Sequence, residues 1–124
     1  MFDSKKKLKL ILTRKWFDMI LSGEKKEEYR DIKESVVSLL FNWKLSGLTR
    51  LQFTNRLKNE GDDSDLWVFL KDFEDIMTFY HAYAHDRDKL DMEFLNVKIG
   101  EAKPEWSDNW KGNVFIIKLG EIIN

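Results

Sequence analysis

Gly23-Glu24-Lys25-Lys26-Glu27-Glu28-Tyr29-Arg30 is the stretch on which the reading of this chain turns. It follows a predicted helix and holds one aromatic residue among charges. As a short strand it puts Lys26, Glu28 and Arg30 on one face, and Lys25, Glu27 and Tyr29 on the other. A carboxylate between two cations on one face is a polar constellation with a use. It can accept from a base edge or an amide while its neighbours neutralise phosphate. The same spacing also fits a solvated edge strand whose charges discourage aggregation, and spacing alone does not separate the two readings.

Upstream, Leu8, Leu10 and Leu12 alternate with polar or outward residues, the period-2 pattern of a half-buried strand. The period then changes. Phe17, Ile20 and Leu21 fall at i, i+3 and i+4, one face of a helix over 15–22. Thr13 stands where an N-cap belongs, and Gly23 where a left-handed cap stops the helix.

Downstream, Val36, Val37, Leu40, Phe41 and Trp43 predict a helix over 34–44 that Gly47 ends. Residues 48–54 alternate and read as a strand, and 59–64 read as a loop. Leu66, Phe69, Leu70, Phe73, Ile76, Met77 and Tyr80 keep a helical period, which predicts a helix over 64–82. Residues 92–99 and 114–119 read as strands, separated by a turn-rich connection with the only proline, Pro104. The predicted order is β-α-β-α-β-α-β-β. It lacks the regular alternation of a parallel α/β sheet, so an α+β fold with a small mixed β-barrel and helices packed outside is expected.

The 124 residues fit a single domain, 1–124. With 43% hydrophobic and 35% charged residues the composition is that of a globule with a core. Nine Phe, five Trp and three Tyr enlarge the area such a small core can bury. The absence of cysteine excludes disulfides, thiol catalysis and Cys-ligated zinc, and agrees with a reducing compartment. No apolar run approaches the roughly 18 residues of a membrane span, and the start does not read as a signal peptide, so a soluble cytoplasmic protein is expected. The net charge of −1 hides an asymmetry: residues 60–93 carry eleven acids against Lys71, Arg87 and Lys89, while residues 1–30 are basic. Such a balance argues against strong non-specific DNA binding.

Gly23-x-Lys25-x-x-Glu28-x-Arg30 resembles the G-x-K-x-x-E-x-R signature of ASCH domains, members of the PUA-like superfamily. The preceding strand and helix through Gly23 resemble the segment that leads into that motif. Gly100-Glu-Ala-Lys-Pro-Glu-Trp106 and the apolar run from Val114 resemble the closing segment of phage and bacterial members. The likeness covers about the first third and the last quarter of the chain, leaving a helical insertion near 60–88. It implies a PUA-like barrel whose cleft binds RNA or a nucleotide-like ligand, without metal or cofactor. Gly23, Lys25, Glu28 and Arg30 would line the cleft, with Thr13, Arg14, Lys15 and Trp16 on another wall and Glu105 and Trp106 at its mouth.

Some members of the family are enzymes, so a metal-independent hydrolase acting on RNA or a modified nucleoside is the alternative, with Lys25 and Glu28 as acid–base groups. An acetylcytidine amidohydrolase branch carries a Thr where this chain has Glu28, and the nucleophile is thereby missing. Trp16 is read either as a base-stacking ring or as core, and Trp106 and Trp110 either as stacking rings or as loop packing. His81 and His85 stand four apart without the Glu of a zinc-protease motif and predict no metal site. Trp67, Phe79 and Tyr83 widen the apolar stripe over 66–83, which makes that element a candidate surface for a protein partner or a homodimer.

Overall fold

Four residues, Lys9–Leu12 (β1), are enough to anchor the first strand, because Leu8, Leu10 and Leu12 all turn inward and are nearly inaccessible. Ile11, on the opposite face, is 52% exposed. The protein is described by a computed structural model covering residues 5–61, 65–81, 88–108 and 112–123. After β1 come α1 (Arg14–Leu21), β2 (Glu27–Arg30), α2 (Glu34–Leu40), α3 (Arg50–Glu60) and α4 (Leu66–Phe69). Strands β3 (Ile76–His81), β4 (Lys89–Glu101) and β5 (Asn113–Ile122) follow, with 3-10 turns at Trp43–Ser46 and Pro104–Trp106.

The fold is α+β. Its five strands hydrogen-bond in the order β1-β3-β4-β5-β2. β1 runs parallel to β3, with Lys9 beside Thr78 and Leu12 beside His81, and β3 runs antiparallel to β4. The sheet is therefore mixed, and it is open, with β1 and β2 as its two ends rather than joined in a barrel.

The chain packs as two compact units, one of residues 1–27, 72–95 and 118–124, the other of 28–71 and 96–117. In the first, α1 lays Phe17 and Ile20 inward, while Leu21, also predicted to face the core, is half exposed. Thr13 holds the N-cap position without a side-chain hydrogen bond, its carbonyl accepting from the Phe17 N–H. Gly23 ends the helix at φ 84°, a left-handed conformation that glycine adopts without the Cβ penalty. Met77, Phe79, Leu90 and Met92 from the β3–β4 pair complete this core.

The second unit centres on Phe41, whose ring lies 5.3 Å from Phe115 and 6.1 Å from Phe53. Tilted aromatic pairs at this range add to the area they bury. Val36, Val37 and Leu40 of α2 and Val114 and Ile117 of β5 fill the rest.

Three predicted elements come out differently. Of residues 48–54, read as a strand, Arg50–Thr54 lie in α3 and Thr49 is its N-cap. Thr49 and Gln52 form a reciprocal capping box at its start, and Phe53, Thr54 and Leu57 turn inward at helical spacing. The helix over 34–44 stops at Leu40, because Phe41 bridges to Leu70 and the chain re-coils as a 3-10 turn.

The helix over 64–82 is the largest correction. Among the described residues of that span only Leu66–Phe69 is helical, and Ile76–His81 is a strand between β1 and β4. The region near 60–88 thus supplies an inner strand of the sheet where a helical insertion was expected. Ile76-Met77-Thr78-Phe79-Tyr80 is rich in β-branched and aromatic residues, and pairing on both sides overrides a helical period read from one stripe. Tyr83 and His85 lie outside the described residues.

Truncating Phe115 to Ala is expected to lower unfolding stability by about 3–5 kcal/mol through loss of a buried ring. Thr49→Ala should lose about 1 kcal/mol with the capping box. Urea denaturation of both variants against wild type measures the two effects.

Candidate functional site

The motif strand sits at one end of the sheet order, where a solvated edge was one reading of its charges. That reading fails. Glu27, Glu28 and Tyr29 are all buried, and Lys25, just before the strand, is only 2% exposed. Carboxylates and ammonium groups reach such positions only with partners, because an isolated buried charge is very unfavourable.

Gly23 and Lys25 belong to the first unit, Glu28 and Arg30 to the second. In the first unit the Lys25 N–H donates to the Met19 carbonyl, which hooks the chain back under the end of α1. Its ammonium then lies 4.3 Å from the centre of the Trp16 ring. A desolvated cation–π contact is worth on the order of 2 kcal/mol. The Lys15 ammonium lies 4.4 Å from the same ring, from an exposed position. Trp16, half-buried, is thus a platform for lysines in this structure, and base stacking on it requires one of them to move. Glu27 is ion-paired with Lys118, and the Lys26 carbonyl accepts from the Leu119 N–H, which fixes the start of β2 to β5 within this unit.

Thr13 is exposed, and Arg14 is occupied within the protein. Its guanidinium donates to Asp18 at 3.3 Å and Asp88 at 3.2 Å, and lies 3.2 Å from Nδ1 of His81. The Asp88 hydrogen bond, above all, holds its pKa above the ordinary arginine value. His81 also packs edge-on against Phe17. His85, its predicted companion, lies outside the described residues, as does Trp110. Among the described residues no group of three or more His, Asp or Glu is placed to hold a metal ion.

In the second unit the Arg30 guanidinium donates to a Glu28 carboxylate oxygen at 3.0 Å. The Glu28 side chain is 6% exposed and that of Arg30 28%, so a buried acid holds a partly open base. Between them in sequence, Tyr29 points its hydroxyl to accept from the Lys103 N–H at 3.2 Å. That bond ties β2 to the Pro104–Trp106 turn, two segments more than seventy residues apart. The Lys103 ammonium lies 4.3 Å from the centre of the half-buried Trp106 ring, and the Ser107 hydroxyl braces the turn on the Lys103 carbonyl. Glu105 stands exposed on the same turn.

The structure therefore ties the strand of Glu28 and Arg30 to the turn of Glu105 and Trp106 through Tyr29, whose side chain leaves that strand on the face opposite Glu28 and Arg30. Tyr29 and Lys103 were not among the predicted site residues. The available signal was the one aromatic residue within a charged strand, since a buried tyrosine hydroxyl usually has a partner. No protein-family model, no curated protein and no solved structure matches the chain.

Tyr29→Phe removes the acceptor for the Lys103 N–H while keeping the ring. A net hydrogen-bond loss of about 1 kcal/mol corresponds to roughly five- to tenfold faster local amide exchange. Hydrogen exchange at Lys103 is expected to accelerate by that factor, with little change at Leu90 or Met92.

Proposed function

We propose that the chain is an ASCH-type, PUA-like module that binds RNA or a nucleotide-like ligand through its phosphate, with Arg30 as the principal contact. The observation that carries this reading is the Glu28–Arg30 pair: a carboxylate buried in β2 holds a guanidinium whose outer part remains 28% exposed. A guanidinium held by a buried carboxylate and still partly exposed is the type of cation suited to phosphate oxygens. The turn tied to the same strand through Tyr29 carries a cation, Lys103, and an aromatic ring, Trp106, the pairing of charge and stacking surface that single-stranded nucleic acid uses. The motif itself supports the family assignment and the cytoplasmic setting that goes with it. No helix among the described residues is long and apolar enough to cross a membrane.

Binding is favoured over hydrolysis by the burial of the two residues that acid–base chemistry would need. Lys25 is 2% exposed and Glu28 5%, and each is engaged within the protein, Lys25 with Trp16 and Glu28 with Arg30. Their work in this reading is to hold Trp16 and Arg30. Glu28 is a positioning residue, and Arg30 is the residue that touches the ligand.

The test is fluorescence anisotropy with labelled single-stranded and structured RNAs at fixed salt without metal, alongside chromatography of acetylated cytidine incubated with the protein. Saturable RNA binding without product is expected. Arg30→Ala should weaken it roughly 10- to 100-fold, near-uniformly across sequences, and lower the salt slope by about 1. Glu28→Gln should weaken it less, while circular dichroism shows both variants folded. Absence of binding, or affinity indifferent to Arg30→Ala, overturns the proposal. Turnover that Lys25→Ala abolishes would establish the hydrolase instead.

A further inference from the structure

The helical part of the second unit carries a hole and a knob side by side. A cavity of about 200 Å³ opens among α3, α4 and the Trp43–Ser46 turn, walled by Leu48, Phe53, Leu57, Leu66 and Phe69. Phe53 and Phe69 meet edge-on at 5.4 Å and stiffen its floor. Arg56, Glu60 and Asp65 also line it, and all three are exposed. Trp67, next to the wall residue Leu66 on the single turn of α4, is 75% exposed. Leu45, Leu51 and Val68, on the same three elements, are exposed as well.

Large apolar side chains gathered on the elements around one cavity mark an interaction surface, and tryptophan is the residue most often dominant in such contacts. We propose that this face pairs two copies of the chain, with Trp67 of each copy seated in the cavity of the other. A patch carrying both knob and hole is self-complementary about a two-fold axis, which closes the assembly at two. The size fits. A cavity of roughly 150 Å³ takes one benzene ring, so this larger one suits the two fused rings of an indole. The charges fit too. Arg56, held by Glu60 at 3.3 Å on its own helix, is the one cation lining the cavity among the described residues and meets the partner's Asp65 across the axis. Such rim pairs fix register more than they add affinity. None of these residues belongs to the motif strand, so the pairing stands independently of the RNA-binding reading.

Sedimentation equilibrium of the full chain from about 1 μM to about 1 mM tests the pairing over the range of weak to moderate self-association. A concentration-dependent dimer is expected. Trp67→Ala, a change at an exposed position that leaves the fold intact, should raise its dissociation constant about thirtyfold or more. Asp65→Arg should also weaken it, and adding Arg56→Asp should restore it. A chain that stays monomeric throughout, or a dimer that Trp67→Ala leaves unchanged, overturns the proposal. So does a monomer whose cavity takes up free indole over the same range.

Discussion

Charge carried into the interior along β2 is the constraint on which much of this structure depends. Lys25, Glu27 and Glu28 are 2%, 6% and 5% exposed within four residues of sequence. A buried ion is tolerated only when neighbouring groups replace the water it has lost. Glu27 takes Lys118 of β5, Glu28 takes Arg30, and Lys25 lies over Trp16 at the start of α1. Each requirement recruits a different part of the chain. The positions of α1 and of the end of β5 in the first unit, and of the guanidinium in the second, follow from satisfying charge as much as from burying hydrocarbon.

The hydrocarbon itself is organised around phenylalanine. With no cysteine to cross-link it, the chain relies on rings that bury large areas. Phe41, Phe53, Phe69 and Phe115 form a connected series in one unit, and Phe73 with Phe94 an edge-on pair in the other. Phe41 and Phe53 stand where α2 gives out and where α3 turns inward. The aromatic cluster thus explains why two local patterns were overridden: Phe41 leaves a helix to reach Leu70, and Phe53 enters one.

The candidate site owes its coherence to one hydrogen bond between distant segments. The Tyr29–Lys103 bond joins the motif strand to the Pro104–Trp106 turn. With it, the strand that carries Arg30 is tied to the turn that carries Lys103 and Trp106. Arg14, by contrast, was expected on another wall of the cleft, yet Asp18 and Asp88 occupy it. A cation in the sequence does not disclose whether its acid lies in a ligand or elsewhere in the same chain.

The residues by themselves determined the strand of Leu8, Leu10 and Leu12, the helix of Phe17 and Ile20, its stop at Gly23 and the long strands near the end. In each, the apolar period, cap or β-branched run agrees with the final packing, so local preference and tertiary structure point the same way. Residues 48–54 were read as a strand from a short alternation that any amphipathic segment can show, and the Thr49–Gln52 capping box of the structure starts a helix there instead. Tertiary structure alone decided that Ile76–His81 is an inner strand, because β1 and β4 supply hydrogen bonds on both sides that no local pattern encodes. It alone decided that the charges of β2 are buried. Burial depends on what covers a side chain, and for Glu27 and Tyr29 the covering partners, Lys118 and Lys103, lie more than seventy residues away in sequence.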